Sequence, residues 1–375
     1  MIIIPENIKT ALNILENGGY EAYLVGGAVR SLLLDQKIND FDVTTNADPN
    51  AIKMLFSSYR VYDIGKKFGT IRVLIGNDEI EITPFRSEGK YLDHRHPEEI
   101  FFTGSLKDDL KRRDFTINAM CLDQRNELID YFGGLDDLNN RLIRCIGNPE
   151  SRFNEDGLRI LRALRFSSKL NFRIEEKTRD ALFSSKHLLS YISAERKNDE
   201  LLKILDNENA FAIINEYLPI FNEFVPFGHV ERKINDFSNN MFALAYLLID
   251  KDVDLLELRY SKRQSELINA LKHSAKIDIY DDYEFICALS SINEKQILQF
   301  LEEYHHIDLK NRYEELKDYI TDISNLKITG KQIGSFGYTA NQITQVKNIL
   351  LEKVHQKQIR NDETSLLKNI EGIIL

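Results

Sequence analysis

Long apolar runs are missing from this chain. Charged residues interrupt each one, and no window approaches the length of a transmembrane span. Cysteine is scarce: Cys121, Cys145 and Cys287 are scattered, with no C-x-x-C spacing. That pattern supports neither a disulfide framework nor a zinc site, so the expected setting is a reducing cytoplasm, with all three thiols as small buried hydrophobes. The opening Met1-Ile2-Ile3-Ile4-Pro5-Glu6 lacks the basic flank and long apolar core of a secretory signal. Positive charge is in deficit too, 49 Lys and Arg against 59 Asp and Glu, a formal net charge of −10. Such a balance argues against a protein that coats nucleic acid indiscriminately. It leaves room for a nucleic-acid enzyme whose basic residues cluster. Internal repeats and low-complexity segments are absent as well.

What is present is an ordinary globular composition, 43% hydrophobic and 29% charged, spread over 375 residues. That is too long for one core, so two or more domains are expected. The first 130 or so residues mix strand and helix patterns. Tyr23-Leu24-Val25 reads as a short buried strand, and Asp40-Phe41-Asp42-Val43-Thr44 alternates with the period of a half-buried one. Thr70 to Ile75 and Glu79 to Phe85 form a hairpin pattern through Gly76-Asn77-Asp78. Asp48-Pro49 opens a helix, with Asp as its cap and Pro in its first turn. Strand signals fade near Leu138, and the remainder reads as helices rich in Leu, Ile, Glu and Lys with few prolines. The expected fold is α+β: a small mixed sheet with helices, followed by all-α domains.

Several clusters carry chemistry. Gly26-Gly27-Ala28-Val29-Arg30 lies between a strand and a helix expected over Val29 to Leu34. Two glycines let backbone approach a ligand, amides at a helix start favour a phosphate, and Arg30 adds a charged donor. An isolated Gly-Gly is equally a plain strand-to-helix turn. Asp40 and Asp42 alternate on a strand, so both carboxylates project one way while Phe41 turns to the core. Such a pair suits Mg²⁺, which takes hard oxygen ligands from one or two carboxylates plus substrate phosphates. A solvated strand face is the plainer alternative. Glu79 and Glu81 share one side of their strand, and Glu81 is the candidate third carboxylate, an acidic strand edge being the other reading.

In Arg112-Arg113-Asp114-Phe115-Thr116-Ile117-Asn118, an Arg beside an Asp suits a triphosphate and a ribose hydroxyl. Asn118 shares a face with Asp114 if the segment is helical. A surface ion pair accounts for the same residues. In Glu155-Asp156-Gly157-Leu158-Arg159-Ile160-Leu161-Arg162-Ala163-Leu164-Arg165-Phe166, the three leucines make one helical stripe opposite Asp156, Arg159 and Arg162. Asp156 and Arg159 are i,i+3 neighbours offering an acceptor beside a donor. Cytosine and adenine present an exocyclic amine beside a ring-nitrogen acceptor, whereas uracil and guanine reverse that order and would be mispaired. Arg162 and Arg165 supply charge for phosphates. Taken alone, this stretch reads first as an amphipathic helix with an internal salt bridge.

In their order, these motifs resemble the class II tRNA nucleotidyltransferase and bacterial poly(A) polymerase family over roughly the first 200 residues. Leu24 to Arg30 with Asp40-Phe41-Asp42 looks like its metal-binding motif, and Arg112-Arg113-Asp114 like its ribose motif. Asp130-Tyr131-Phe132-Gly133-Gly134, with the later Arg144, resembles its hinge. Glu155-Asp156-Gly157-Leu158-Arg159 resembles the E-D-x-x-R template for the incoming base. The resemblance implies a nucleotidyltransferase head (1–138), a neck for nucleobase recognition (139–205), a body (206–305) and a tRNA-binding tail (306–375). It implies Mg²⁺ on Asp40 and Asp42, with Gly26, Gly27, Arg30, Arg113, Asp114, Asn118, Asp156, Arg159, Arg162 and Arg165 around CTP or ATP. Asp130, Gly134 and Arg144 would form the hinge.

The activity implied is untemplated addition of C, C and A to tRNA by attack of the 3′-hydroxyl on the α-phosphate. An A-adding enzyme or a poly(A) polymerase is the alternative, and an inactive RNA-binding module a third. Arg86 to Tyr91, continuing to Arg95-His96-Pro97, looks like the family's intact flexible loop, which favours A addition. Leu326 to Lys331 and a helix near Ile343 to Val354 resemble the tail of CCA-adding members. Lys327, Lys331, Lys347, Lys353, Lys357 and Arg360 are expected to give that tail a basic surface. Three positions depart from the family pattern: Ser31 follows the motif Arg, Lys67-Phe68-Gly69-Thr70 replaces a Lys-His-Gly-Thr stretch, and Thr83-Pro84 replaces a double Thr. Oligomeric state is not written in the sequence.

Overall fold

The structure, a computed structural model, describes residues 4–38, 40–65, 69–88, 100–232, 236–290, 293–316, 319, 320, 322–356, 358–370 and 373. The chain divides into two compact units, residues 1–234 and 235–375.

The first unit opens with α1 (Glu6–Asn17), β1 (Ala22–Val25), α2 (Gly27–Leu33), β2 (Phe41–Thr45) and α3 (Pro49–Leu55). Next come β3 (Arg60–Gly65), β4 (Thr70–Ile75), β5 (Asp78–Pro84), β6 (Arg86–Glu88) and β7 (Ile100–Phe102). Seven strands of this unit form one sheet in the order β3-β4-β5-β2-β1-β8-β9, closed by β8 (Met120–Leu122) and β9 (Leu128–Asp130). Only the β2–β5 neighbours run parallel. Strand alternation explains which face is which. In β4 and β5, Ile71, Val73, Ile75, Ile80 and Ile82 are buried, and α1 and α3 pack on this sheet. Asp48 caps α3 through the amides of Asn50 and Ala51, with Pro49 in its first turn as expected. The β4–β5 hairpin turns through Gly76-Asn77.

One row of register partners crosses the sheet from Tyr62 of β3 through Arg72, Glu81, Asp42, Val25, Cys121 and Ile129. Partners in register share a face. The apolar half of this row lies in a cluster with Phe85 and with Leu106 and Leu110 of α4 (Leu106–Lys111). The polar half, Arg72, Glu81 and Asp42, is left uncovered by that cluster. Chemistry and core thus share one side of one sheet.

Beyond the sheet lie α5 (Gly134–Asn139), β10 (Leu142–Ile143), α6 (Pro149–Glu155), α7 (Leu158–Leu170), β11 (Arg173–Ile174) and α8 (Glu176–Ser185). The unit is completed by α9 (Ala194–Leu205), α10 (Ala210–Glu216) and α11 (Leu218–Phe221). The leucine stripe of α7 is buried as expected. Its partner helix is α9, and the two-residue strands β10 and β11 pair in parallel beside it. Those two strands are the departure from the all-helical expectation after Leu138.

The second unit is helical: α12 (Asn240–Leu247), α13 (Lys262–Ser274), α14 (Asp282–Leu289), α15 (Glu294–His305) and α16 (Lys310–Leu316), then α17 (Gly330–Gly334), α18 (Ala340–His355) and α19 (Glu363–Ile370). Leu326, Ile328, Ile333, Val346, Leu350, Leu366, Ile370 and Ile373 form the core of its C-terminal part. The helix expected near Ile343 to Val354 is α18. Among the described residues no helix is long and apolar enough to cross a membrane. Cys121 and Cys145 are buried, and burial pushes both thiols up to about 12. Cys287 differs from expectation: it lies on an outer face of α14 and is exposed.

Candidate active site

The chain leaves β1 and enters α2 through Gly26, whose φ of +73° falls where a side chain is strained. A Cβ there would stand 3.3 Å from Nη1 of Arg113 and 3.9 Å from Oδ2 of Asp42. The glycine therefore lets a backbone turn, a guanidinium and a carboxylate meet. The helix begins at Gly27, two residues earlier than expected, which places Arg30 on a buried inner face.

Asp42 lies in β2, and Asp40 precedes the strand by one residue. Both line two adjoining cavities of about 970 and 510 Å³. Phe41, expected in the core, is only half-buried and lines the smaller cavity, because β2 starts at that residue with Asp40 outside it. Burial raises the Asp42 carboxyl, Arg113 pulls it down, and Glu81 and Asp40 push it up further. Glu81 stands directly opposite Asp42 in register, but its oxygen accepts from Nη2 of Arg72 at 2.7 Å, while Glu79 holds Nη1 at 3.1 Å.

The donors beside the smaller cavity are mainly hard carboxylate oxygens. Among the described residues no group of three or more His, Cys, Asp or Glu closes round a metal position. Two carboxylates with room for substrate oxygens is the arrangement Mg²⁺ commonly takes. The residues therefore fit such an ion.

The larger cavity is lined by eight arginines and two lysines against five aspartates. A carboxylate absent from the expected site residues holds two of these arginines. Asp109, fully buried in α4, accepts from Arg112 (Nε 3.0 Å, Nη2 2.7 Å), from Nη2 of Arg113 at 3.1 Å and from the Thr44 hydroxyl at 3.2 Å. Burial would raise its carboxyl, yet Arg113 and Arg112 bring it below the usual range. Its i+3 and i+4 spacing to these arginines was the available signal.

Asp114 and Asn118 do meet, Nδ2 donating to Oδ1 at 3.0 Å, but not on an α-helix. Phe115 is extended and a short 3₁₀ turn covers Thr116–Asn118. Asp114 also accepts from the Phe115 amide at 2.8 Å and from Arg162 through Nε at 2.8 Å and Nη2 at 2.5 Å. Burial opposes its ionisation, but Arg162, Asn118 and the amide outweigh it and hold the carboxyl far below its ordinary value. Arg30 donates to Asn118 from the other side. Burial, with Arg165 and Arg162 as like charges, lowers its guanidinium to about 10 despite Asp114.

Asp156 and Arg159 both line the larger cavity and are joined through the backbone, the Arg159 amide donating to the Asp156 carbonyl at 3.0 Å, while their side chains bond to other groups. Asp156 ends α6 in an extended conformation, outside α7; Oδ1 accepts from the Leu158 amide at 3.1 Å and Oδ2 faces Nη2 of Arg196 at 3.5 Å. Arg159 is buried, bonded to Oε2 of Glu155 at 2.6 Å and to the carbonyls of Arg152 (2.9 Å) and Arg112 (3.1 Å). The expected single helix breaks because the Asp156 side chain takes an amide that a helix would use elsewhere. Arg165 lies 3.1 Å from buried Glu200, a partner 35 positions away that no local spacing reveals.

Of the expected hinge residues, Asp130 accepts from the amides of Phe132, Gly134 and Leu135, fixing the start of α5. Arg144 does not meet Asp130. It pairs with Asp137 at 2.9 Å, whose Oδ2 also takes the Thr116 hydroxyl at 2.6 Å. Of the departures from the family pattern, Ser31 is half-buried in α2 and Pro84 is buried. Lys67 and Phe68 lie outside the described residues, as do 89–99 of the expected loop.

Residues 22–144 match the family described as the poly(A) polymerase head domain, and 171–217 the one described as a probable RNA- and SrmB-binding site of polymerase A. The CCA-adding enzyme of Ligilactobacillus salivarius (strain UCC118) is 35% identical, with 99% of this chain and 98% of that protein covered. This chain belongs to the CCA-adding enzyme family. The Bacillus subtilis (strain 168) member is 36% identical over 86% of both chains. A crystal structure of the Bacillus stearothermophilus CCA-adding enzyme in complex with CTP covers 98% of both chains at 26% identity and a TM-score of 0.75. The family likeness thus spans the head, both cavities and the helical unit beyond.

Proposed function

We propose that this protein completes and repairs the 3′-terminal CCA of tRNA from CTP and ATP, without a nucleic-acid template. The observation that carries the reading is a cationic cavity whose wall includes the Asp40 and Asp42 carboxylates, in a chain of this family. The RNA 3′-hydroxyl attacks the α-phosphate: its bond to phosphorus forms, the bond to the bridging β-oxygen breaks, and pyrophosphate leaves. Family membership implies a divalent metal, and Mg²⁺ is the ion proposed here. Asp40 and Asp42 would hold it, where it would acidify the 3′-hydroxyl and offset charge on the phosphates. Glu81, fixed by Arg72, would support that side.

The remaining work belongs to the chain's own groups. Arg30, Arg113, Arg162 and Arg165 face the phosphates as preorganised donors, with the Gly26-Gly27 turn admitting them close to backbone. Asp114 and Asn118 serve the ribose and hold the arginines in place. Asp156 accepts from the exocyclic amine of cytosine or adenine, and Arg159 donates to the neighbouring ring nitrogen. Uracil and guanine would leave these groups mispaired.

Residues 1–138 would be the head, 139–205 the neck, 206–305 the body and 306–375 the tail. In the tail Lys327, Lys331 and Arg360 are exposed and Lys347 and Lys353 half-buried, a surface for tRNA phosphates; Lys357 lies outside the described residues. A cytoplasmic setting suits this role.

The test is extension, read at single-nucleotide resolution, of tRNAs ending before, within and just short of CCA. CTP, ATP, UTP and GTP are supplied singly, and CTP with ATP together. Growth that stops at CCA and rejects UTP and GTP is expected. Stalling after CC, A alone, or a long A tail would reassign the product to a neighbouring activity. No growth from any primer would leave an RNA-binding module.

A further inference from the structure

The ring of Phe166 stands at the centre of the cationic wall. Arg30, Arg162 and Arg165 bring their guanidinium carbons to 5.0, 5.4 and 4.8 Å from its centroid. The ring is buried, and fully buried Phe115 meets it edge-on at 5.7 Å and 82°. Three like charges gathered this closely repel one another. Carboxylates answer two of them: Asp114 binds Arg162, and Glu200 lies 3.1 Å from Arg165. Arg30 bonds the neutral amide oxygen of Asn118 and feels the Asp114 carboxylate without bonding it, and its Nε is buried without a partner. A third carboxylate would hold Arg30 and also cancel the charge a polyanion needs. An aromatic face attracts a cation while leaving the charge and its remaining N–H donors intact.

We infer that Phe166 is a positioning residue for the nucleotide's triphosphate, holding Arg30, Arg162 and Arg165 around its ring so that their donors converge on the cavity and Arg30 is held there without a bonded carboxylate. The inference deepens the proposed nucleotidyl transfer and rests on it. Its role is exercised through the arginines it holds.

The probe is inorganic tripolyphosphate, with CTP alongside, on the full-length protein. Replacing Phe166 with mono-, di- and trifluorophenylalanine keeps the shape and drains negative potential from the ring face. Affinity for tripolyphosphate is expected to fall with each fluorine, roughly three- to tenfold across the series. The KM for CTP should rise in step while the melting temperature stays constant. Phe166→Leu should lose at least as much, and Phe166→Tyr, which restores a ring, should recover most of it. Constant affinity across the fluorinated series would overturn the inference, as would losses that merely follow melting temperature. Wild-type protein that fails to extend tRNA while the graded response persists would sink the activity and spare the ring's role. Normal extension with a flat response would sink the ring's role alone.

Discussion

At Asp114 one carboxylate accepts four hydrogen bonds, two of them from Arg162. The residue that would face the ribose is therefore also what orients an arginine from α7. Replacing it with Asn leaves Arg162 without its countercharge. Breaking a buried pair costs about 3–5 kcal/mol, and because a third of the Arg162 side chain keeps contact with water we expect about 2 kcal/mol here. The pH dependence has a definite sign. The folded carboxyl titrates below the unfolded value of about 4, so its contribution is complete above that value and disappears as pH falls through the folded one. Urea melts should separate Asp114→Asn from wild type by the same margin at pH 7 and pH 5, and bring them together only below about pH 4. A gap that closed near neutrality would mean the carboxyl is not ionised in the way its partners indicate.

Among the elements, α5 decides how the Thr116–Asn118 turn sits. Gly134 opens this helix against the Thr116–Asn118 turn, where a Cβ would fall 2.3 Å from the Thr116 carbonyl oxygen and 2.9 Å from Cγ of Met120. Neither backbone nor packed methionine yields that distance cheaply. Gly134→Ala should cost about 1–3 kcal/mol in a denaturant titration and raise the KM for nucleotide, since the turn carries Asn118. Its neighbour Gly133 has a left-handed φ of +75° and no atom near its missing Cβ, so Gly133→Asn should cost less than about 1 kcal/mol. Elements such as β1, β2, β4, β5 and α3 were legible because alternation, a two-residue turn and a capping pair are local signals. The break between α6 and α7 was not, since apolar spacing runs through it and only the Asp156 side chain bonding the Leu158 amide reveals the exit. Asp137 and Glu200 escaped for a different reason: their arginines lie 7 and 35 positions away, distances that only the folded chain closes.

On the scale of the whole molecule, charge is divided unevenly. The larger cavity carries an excess of five positive charges in a chain of formal charge −10, so everything outside it carries −15. A small polyanion such as a nucleoside triphosphate is repelled by the acidic remainder and drawn to this cavity. Such attraction is screened over about 10 Å at 0.1 M salt and about 3 Å at 1 M. Raising KCl from about 50 to 500 mM should increase the KM for CTP about tenfold and change kcat much less in steady-state assays. A KM indifferent to salt would mean that the aspartates already cancel the wall.

Arg152 has a consequence for motion. Its guanidinium binds the carbonyls of both Arg112 and Arg113 and the carboxylate of Glu155, and Arg159 joins it on the Arg112 carbonyl. These bonds rivet the end of α4 to α6 and the first turn of α7. A swing of those helices would have to break these bonds together, which couples the cavity wall of Asp156 and Arg159 to the wall that carries Arg112 and Arg113. If Asp156 and Arg159 read the base while the arginines hold the phosphates, a movement pivoting on any other line of this unit would leave the spacing between those two groups unchanged.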